Sequence, residues 1–195
     1  MIIARDLSFL FIAVPKTGTS SVEALLETRA DEELSGRWNK HVLAMKLRDE
    51  LSPAIWSGAY KFAFVREPYS WMQSWYRYRQ REALKNPAHP HHHRYTGNMS
   101  FDEFVAGFRS GELMLRQCDF LTSQEGELLV DYVGRYEHLA RDFSRVSDIL
   151  GIEKIQLPVR NQSPGADSGI AMSPDSRRII REYFARDFEL FDYAF

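Results

Sequence analysis

Two nearly unbroken apolar runs organise this chain, and each ends in a short polar break followed by apolar residues at helical spacing. The first, Phe9 to Val14, predicts a strand buried on both faces, as inside a parallel sheet. It passes into Pro15-Lys16-Thr17-Gly18-Thr19-Ser20-Ser21, after which Val22, Leu25 and Leu26 recur with a helical period. The second run, Tyr60 to Val65, is broken by Arg66-Glu67-Pro68. A long helix is then predicted from near Pro68 through Trp71, Ser74, Trp75, Tyr78 and Arg81, with the proline in the first turn, where a missing N–H costs nothing. Strand, small-residue loop and helix in succession predict an α/β nucleotide-binding fold.

Between these units, Val42, Met45 and Leu47 to Leu51 predict a short amphipathic helix capped by Asn39. Asn86 to Met99 reads as a loop, and Ser100-Phe101-Asp102-Glu103 as a capping box opening a helix to about Phe108. Leu113 to Leu121 is expected to be helical, Leu128 to Val133 to be a third strand, and Leu139 to Leu150 to be a helix ended by Gly151. Leu157 to Met172 reads as a loop, and Ser173-Pro174-Asp175 starts a final helix with a cap, a first-turn proline and an acid at the positive dipole end. No repeat or linker divides the chain, so residues 1–195 are expected to form one domain.

Composition narrows the class. A domain of 195 residues buries about 70% of its extended-chain surface and needs no disulfide or metal staple. The 44% hydrophobic and 27% charged content excludes a disordered chain, a collagen-like repeat and a membrane-spanning bundle. A net charge of −2 argues against a nucleic-acid-binding surface over the whole molecule but leaves room for a local basic pocket. The single cysteine, Cys118, excludes an intrachain disulfide and fits a reducing compartment. The first apolar run is too short to span a bilayer and lacks a basic leader and a cleavage site, so neither an export signal nor an anchor is read and a cytoplasmic location is expected. Trp71, Trp75 and Tyr78, at helical spacing, read as core and not as adenine-stacking residues.

The Pro15–Ser21 loop carries the candidate chemistry. A small-residue loop feeding a helix N-terminus presents backbone N–H groups and the positive dipole end to an anion. Lys16 adds a charge, and Thr17, Thr19, Ser20 and Ser21 add hydroxyls; the alternative is a polar turn that merely caps a helix. The loop is not a Walker A motif, which ends in Gly-Lys-Ser/Thr, and this disfavours a magnesium-triphosphate enzyme. Arg66, at the C-terminal end of a parallel strand, lies on the ligand side of such a sheet, and Ser74 follows about two helical turns later. A guanidinium fork suits a phosphate; the alternative is a surface arginine and a small packing serine.

At these residues the chain resembles the sulfotransferases that use 3′-phosphoadenosine 5′-phosphosulfate (PAPS). Val14-Pro15-Lys16-Thr17-Gly18-Thr19-Ser20-Ser21 is similar to their 5′-phosphosulfate loop, most of all in the branch of heparan sulfate 2-O-sulfotransferase and the chondroitin/dermatan enzymes. Phe64-Val65-Arg66-Glu67-Pro68-Tyr69 with Ser74 resembles the 3′-phosphate element, with Glu67 where the family often has Asn. Lys40-His41, followed by Ala44, Leu47 and Arg48, looks like the segment carrying the family's base; the alternative for His41 is a helix-start histidine without chemistry. Asp131 to Leu139 resembles a recurrent strand-to-helix segment in which Arg135 or Glu137 is a candidate organiser of the site, structural ion pairing being the alternative. Pro158 to Ser163 lies where relatives close a loop over the nucleotide, making Arg160 and Ser163 candidate ligands beside the alternative of a plain surface loop.

The resemblance implies a three-layer, P-loop-like α/β domain with a central parallel sheet flanked by helices. It implies transfer of a sulfuryl group from PAPS to a hydroxyl acceptor by in-line displacement, releasing 3′,5′-adenosine bisphosphate, with no metal. In those terms Thr17, Gly18, Thr19, Ser20 and Ser21 hold the 5′-phosphate, Lys16 neutralises the leaving group, Arg66 and Ser74 hold the 3′-phosphate and His41 is the base. The acceptor is expected to be a carbohydrate or a small metabolite; no nucleic acid or membrane anchor is expected, and the oligomeric state stays open. The histidines His89, His91, His92 and His93 read as a solvated loop, metal binding being the weaker reading because such close neighbours seldom converge on one ion. Two rival functions are an ATP-dependent phosphotransferase and a catalytically silent nucleotide-binding module.

Overall fold

A computed structural model of the protein describes residues 1–6, 8–107, 114–152 and 170–194. The strands are β1 (Ile2–Ile3), β2 (Phe9–Ile12), β3 (Tyr60–Val65) and β4 (Tyr132–Arg135), in the sheet order β1-β2-β3-β4. Helices precede and follow them in the order α1 (Thr19–Leu26), α2 (Glu32–Gly36), α3 (Ala44–Glu50), α4 (Pro53–Gly58), α5 (Pro68–Arg79) and α6 (Glu82–Lys85). Further along come α7 (Phe101–Gly107), α8 (Gln117–Leu121), α9 (Leu139–Leu150), α10 (Pro174–Tyr183) and α11 (Ala185–Leu190). These elements form two compact units, Met1–Arg66 with Leu115–Asn161, and Glu67–Met114 with Gln162–Phe195.

The first unit holds the sheet. β2, β3 and β4 are parallel, while β1 runs antiparallel on the edge, pairing Ile2 with Phe11 and Ile3 with Leu10. The central parallel sheet expected from the sequence is present in β2, β3 and β4, and it gains an antiparallel edge strand whose two residues are too few for a strand pattern to show. β2 is buried along its whole length, as its unbroken apolar run requires. Phe9, Phe11, Phe62 and Phe64 form a connected aromatic layer, with Phe11 and Phe62 stacked at 5.3 Å and Phe64 meeting Phe143 of α9 at 6.5 Å. Such ring pairs add about 0.5–1.5 kcal/mol each beyond the area they bury. Gly134 sits in register with Phe64, and any Cβ there would run into the phenylalanine ring.

The third strand lies four residues later than its expected start. The Asp131 N–H donates to the Lys61 carbonyl at 2.8 Å, and pairing runs on from Phe62 with Tyr132 to Val65 with Arg135. Leu128 instead makes an isolated bridge to Thr122 and is 43% exposed, so the apolar run at 128–130 is not the strand. The one charge inside β3 is satisfied locally: Lys61 Nζ donates to the Ala59 carbonyl at 2.7 Å and pairs with Asp131 at 3.0 Å. α3 begins at Ala44 behind Leu43, not at an Asn39 cap, which leaves residues 40–41 in a turn. Of the helix expected over 113–121, Gln117–Leu121 is helical and Leu113 is outside the described residues.

In the second unit α5 starts as its sequence requires, with the Glu67 carboxylate accepting from the Tyr69 and Ser70 N–H groups at 3.0 and 2.7 Å and Pro68 in the first turn. Trp71 is fully buried and meets Trp75 and Phe184 edge-on at 6.1 and 5.5 Å, so it belongs to the core. The Ser100–Glu103 capping box is present, and Ser173 caps α10 by accepting from the Ser176 N–H at 3.1 Å. Among the described residues no helix is long and apolar enough to cross a membrane.

Candidate active site

The loop after β2 takes the shape its small residues permit. Lys16 has φ 67° and Gly18 φ 81°, with Thr17 between them at negative φ. Two positive φ values within three residues bend the loop sharply between β2 and α1. A lysine in the left-handed region costs about 1–2 kcal/mol, and such strain is characteristic of residues held for function. Thr17 is fully buried and its hydroxyl donates to the Val14 carbonyl at 2.8 Å, so it holds the loop shut and offers a ligand its backbone, where the sequence also suggested its hydroxyl. Gly18 then leads into α1 without a side-chain cap, at the end of the helix where N–H groups lack intrahelical partners.

His41 is brought to this loop from the turn before α3. Its Nδ1 lies 2.7 Å from the Ala13 carbonyl oxygen, at the root of the loop. A carbonyl only accepts, so Nδ1 carries the hydrogen and the neutral ring presents its lone pair at Nε2. Burial of the ring pushes the His41 pKa below its ordinary value; the bond to Ala13 opposes the shift, and the neighbouring Lys40 and N-terminal charges add to it. The turn is tied down a second time by Lys40, whose ammonium pairs with Glu23 on α1 and reaches the Ser20 hydroxyl at 3.4 Å.

Arg66 follows the last residue of β3. Its guanidinium lies 4.3 Å from the centre of the Tyr136 ring, in the 3-10 turn after β4. The same ring packs against Gly18, where a Cβ would approach it to 3.3 Å and would meet Leu139 at 2.6 Å. Tyr136 therefore links the loop after β2 to Arg66 within one unit. The Arg66 backbone is held by the buried Gln117 side chain, which accepts from the Arg66 N–H at 2.8 Å and donates to the Arg66 carbonyl at 2.7 Å.

The structure thus gathers the Pro15–Ser21 loop, His41 and Arg66 in the first unit. Ser74 belongs to α5 of the second unit and is 8% exposed there. Arg160 and Ser163 lie outside the described residues. The Arg135 N–H donates to the buried Asp142 carboxylate at 2.8 Å, and Glu137 is exposed in the 3-10 turn. Tyr136 lies between Arg135 and Glu137 with no sequence signal of its own, and Gln117 belongs to no motif. Among the described residues no group of three or more His, Cys, Asp or Glu side chains is arranged to hold a metal ion. In the histidine loop, His92 Nδ1 lies 2.8 Å from the Leu84 carbonyl.

The sheet and the helices around it form an α/β frame, and comparison with known proteins identifies its family. The chain belongs to the sulfotransferase family, whose model matches residues 1–194, across both units. Sulfuryl transfer to a hydroxyl acceptor is the reaction class of that family. No curated protein and no solved structure matched.

Proposed function

We propose that the protein transfers a sulfuryl group from PAPS to a hydroxyl of a carbohydrate or small metabolite, and that residues 1–195 act as one sulfotransferase domain. The observation that carries this reading is the His41–Ala13 hydrogen bond, which holds a basic Nε2 beside the anion loop. The donor set fits a nucleotide with two separate phosphate groups: the loop's backbone N–H groups with Lys16 for one, and Arg66 for the other. Ser74 keeps the 3′-phosphate role, and Arg160 and Ser163 the nucleotide-contact role, that the sequence resemblance gives them.

In the proposed reaction the acceptor oxygen bonds to sulfur as its proton passes to His41 Nε2. The bond from sulfur to the bridging oxygen breaks in line, and its electrons stay on the 5′-phosphate of the departing 3′,5′-adenosine bisphosphate. Lys16 and the N–H groups of residues 17–20 meet that charge, the Ser21 N–H being given to the Gly18 carbonyl at 3.0 Å; a well-placed donor of this kind is worth roughly 3–4 kcal/mol in the transition state. No step calls on a metal. The heparan sulfate and chondroitin/dermatan branch is the proposed neighbourhood within the family, on the likeness of the Val14–Ser21 loop. A cytoplasmic location belongs to the same proposal, since the single Cys118 fits a reducing compartment.

Calorimetric titration with 3′,5′-adenosine bisphosphate, 5′-AMP and ATP, without added metal, tests the donor. Selective binding of the bisphosphate is the expected result, and it justifies an acceptor screen with PAPS. Preference for ATP, or no binding of any of the three, overturns the reading.

A further inference from the structure

We propose that Gln117 is a positioning residue for the nucleotide's 3′-phosphate, acting through Arg66; the inference rests on the nucleotide reading above. Gln117 is fully buried in the first turn of α8, yet an amide there has a desolvation cost that an apolar side chain avoids. Its two functional atoms go to one residue: Oε1 takes the Arg66 N–H at 2.8 Å, and Nε2 gives to the Arg66 carbonyl at 2.7 Å. A side-chain amide paired to both polar groups of one residue acts as an extra rung of sheet.

The place of that rung matters. The β3–β4 register last pairs Val65 with Arg135, so Arg66 is the first residue beyond the ladder. Gln117 thus carries backbone pairing one residue past the ladder, at the point where the guanidinium must be aimed. The Tyr136 ring, 4.3 Å from Arg66 Cζ, steadies the far end of the same side chain. Arg66 is therefore held at both ends, and Gln117 supplies the end that sets its direction. The residue type is specific. A carboxylate at position 117 can accept from the Arg66 N–H but cannot donate to the carbonyl, and leucine can do neither.

The test compares wild type with Gln117→Leu, Gln117→Glu, Arg66→Ala and the Gln117→Leu/Arg66→Ala double variant. Affinities for 3′,5′-adenosine bisphosphate and for 5′-AMP, which lacks the 3′-phosphate, are measured by calorimetry, and thermal unfolding confirms that each variant is folded. Gln117→Leu is expected to weaken the bisphosphate about tenfold, in the range found when a partner that orients a ligating group is lost, and to leave 5′-AMP unchanged. The double variant should bind no worse than Arg66→Ala alone, because the effect runs through Arg66. Gln117→Glu keeps the bond to the Arg66 N–H but sets a carboxylate against the Arg66 carbonyl and beside the guanidinium, so it should weaken the bisphosphate at least as much as Gln117→Leu while sparing 5′-AMP, and it carries the test if the leucine variant does not fold. In turnover with PAPS, KM should rise while kcat holds. Equal weakening of both nucleotides, or losses that add in the double variant, overturns the proposal and leaves the nucleotide reading standing. A wild type that does not prefer the bisphosphate overturns the nucleotide reading and this inference with it.

Discussion

His41 Nδ1 and the Ala13 carbonyl oxygen lie 2.7 Å apart across 28 residues of sequence, and this one bond sets both the position of the imidazole and the nitrogen that is basic. Ala13 directly follows β2 in the buried run Phe9 to Val14, so the imidazole is referred to the β2 end of the sheet. A loop-borne histidine gains in this way the rigidity of a strand.

The lowered pKa of His41 has a signed consequence. The base form persists to lower pH than in a free imidazole, so the acidic limb of kcat/KM is expected below the ordinary value of ~6.5. His41→Ala should reduce kcat by about 10²–10⁴ and abolish that limb, with affinity for 3′,5′-adenosine bisphosphate retained. Stability follows the same shift. Between the lowered folded value and the ordinary unfolded value, the unfolded chain binds more protons. The stabilisation is therefore complete above the ordinary imidazole pKa and is lost as pH falls through it toward the folded one. Denaturant unfolding against pH should show this loss in wild type and a flatter profile in His41→Ala.

Lys16 separates chemistry from conformation. Its φ of 67° suits glycine, so Lys16→Gly should be more stable than Lys16→Ala by about 1 kcal/mol, glycine's own chain entropy offsetting part of the relief. Both variants should lose turnover about equally, by about 10²–10³, since both lack the ammonium proposed to meet charge on the leaving phosphate. Paired denaturant melts and PAPS turnover check this. Near-wild-type turnover in either variant removes Lys16 from the reaction.

What was legible in the sequence divides along physical lines. β3 and α5 stand where the pattern put them, because six successive strand positions and a proline-led, capped helix leave little choice. α9 and its left-handed Gly151 terminus are equally local signals. β4 was misplaced because its extent is decided by pairing with β3, not by its own apolarity: Leu128 is more apolar than Arg135, but Arg135 is the residue in register with Val65. The polar loop after β2 and the arginine after β3 could be read from residue type. The Ala13 carbonyl, the Tyr136 ring and the Gln117 amide could not, since each matters through a contact made across the chain.

Gly18 is where loop and arginine meet. Gly18→Ala places a Cβ at 2.6 Å from Leu139 Cδ2 and 3.3 Å from the Tyr136 ring, at a φ of 81°. The leucine end can swing aside, but the left-handed backbone alone costs about 1–2 kcal/mol. A total loss of about 1–3 kcal/mol is expected by denaturant unfolding. Because Tyr136 also supports Arg66, affinity for 3′,5′-adenosine bisphosphate should fall as well. A variant destabilised to that extent but binding normally shows that the loop and Tyr136 are not coupled.

Arg66 tests whether geometry or charge holds the 3′-phosphate. Arg66→Ala removes both, and the apparent KM for PAPS is expected to rise about 10–100-fold, the worth of a charge-assisted hydrogen bond of about 1.5–3 kcal/mol. Arg66→Lys keeps the charge but loses the planar fork and the face that stacks on Tyr136 at 4.3 Å. If charge alone matters, lysine restores most of the affinity and the remaining defect shrinks little with salt. If the fork matters, lysine recovers only a small part, and that part disappears at high ionic strength, because an unanchored ammonium is screened. The clamped backbone and stacked guanidinium favour the second outcome, with kcat close to wild type in both variants. An unchanged KM in Arg66→Ala removes Arg66 from the nucleotide site.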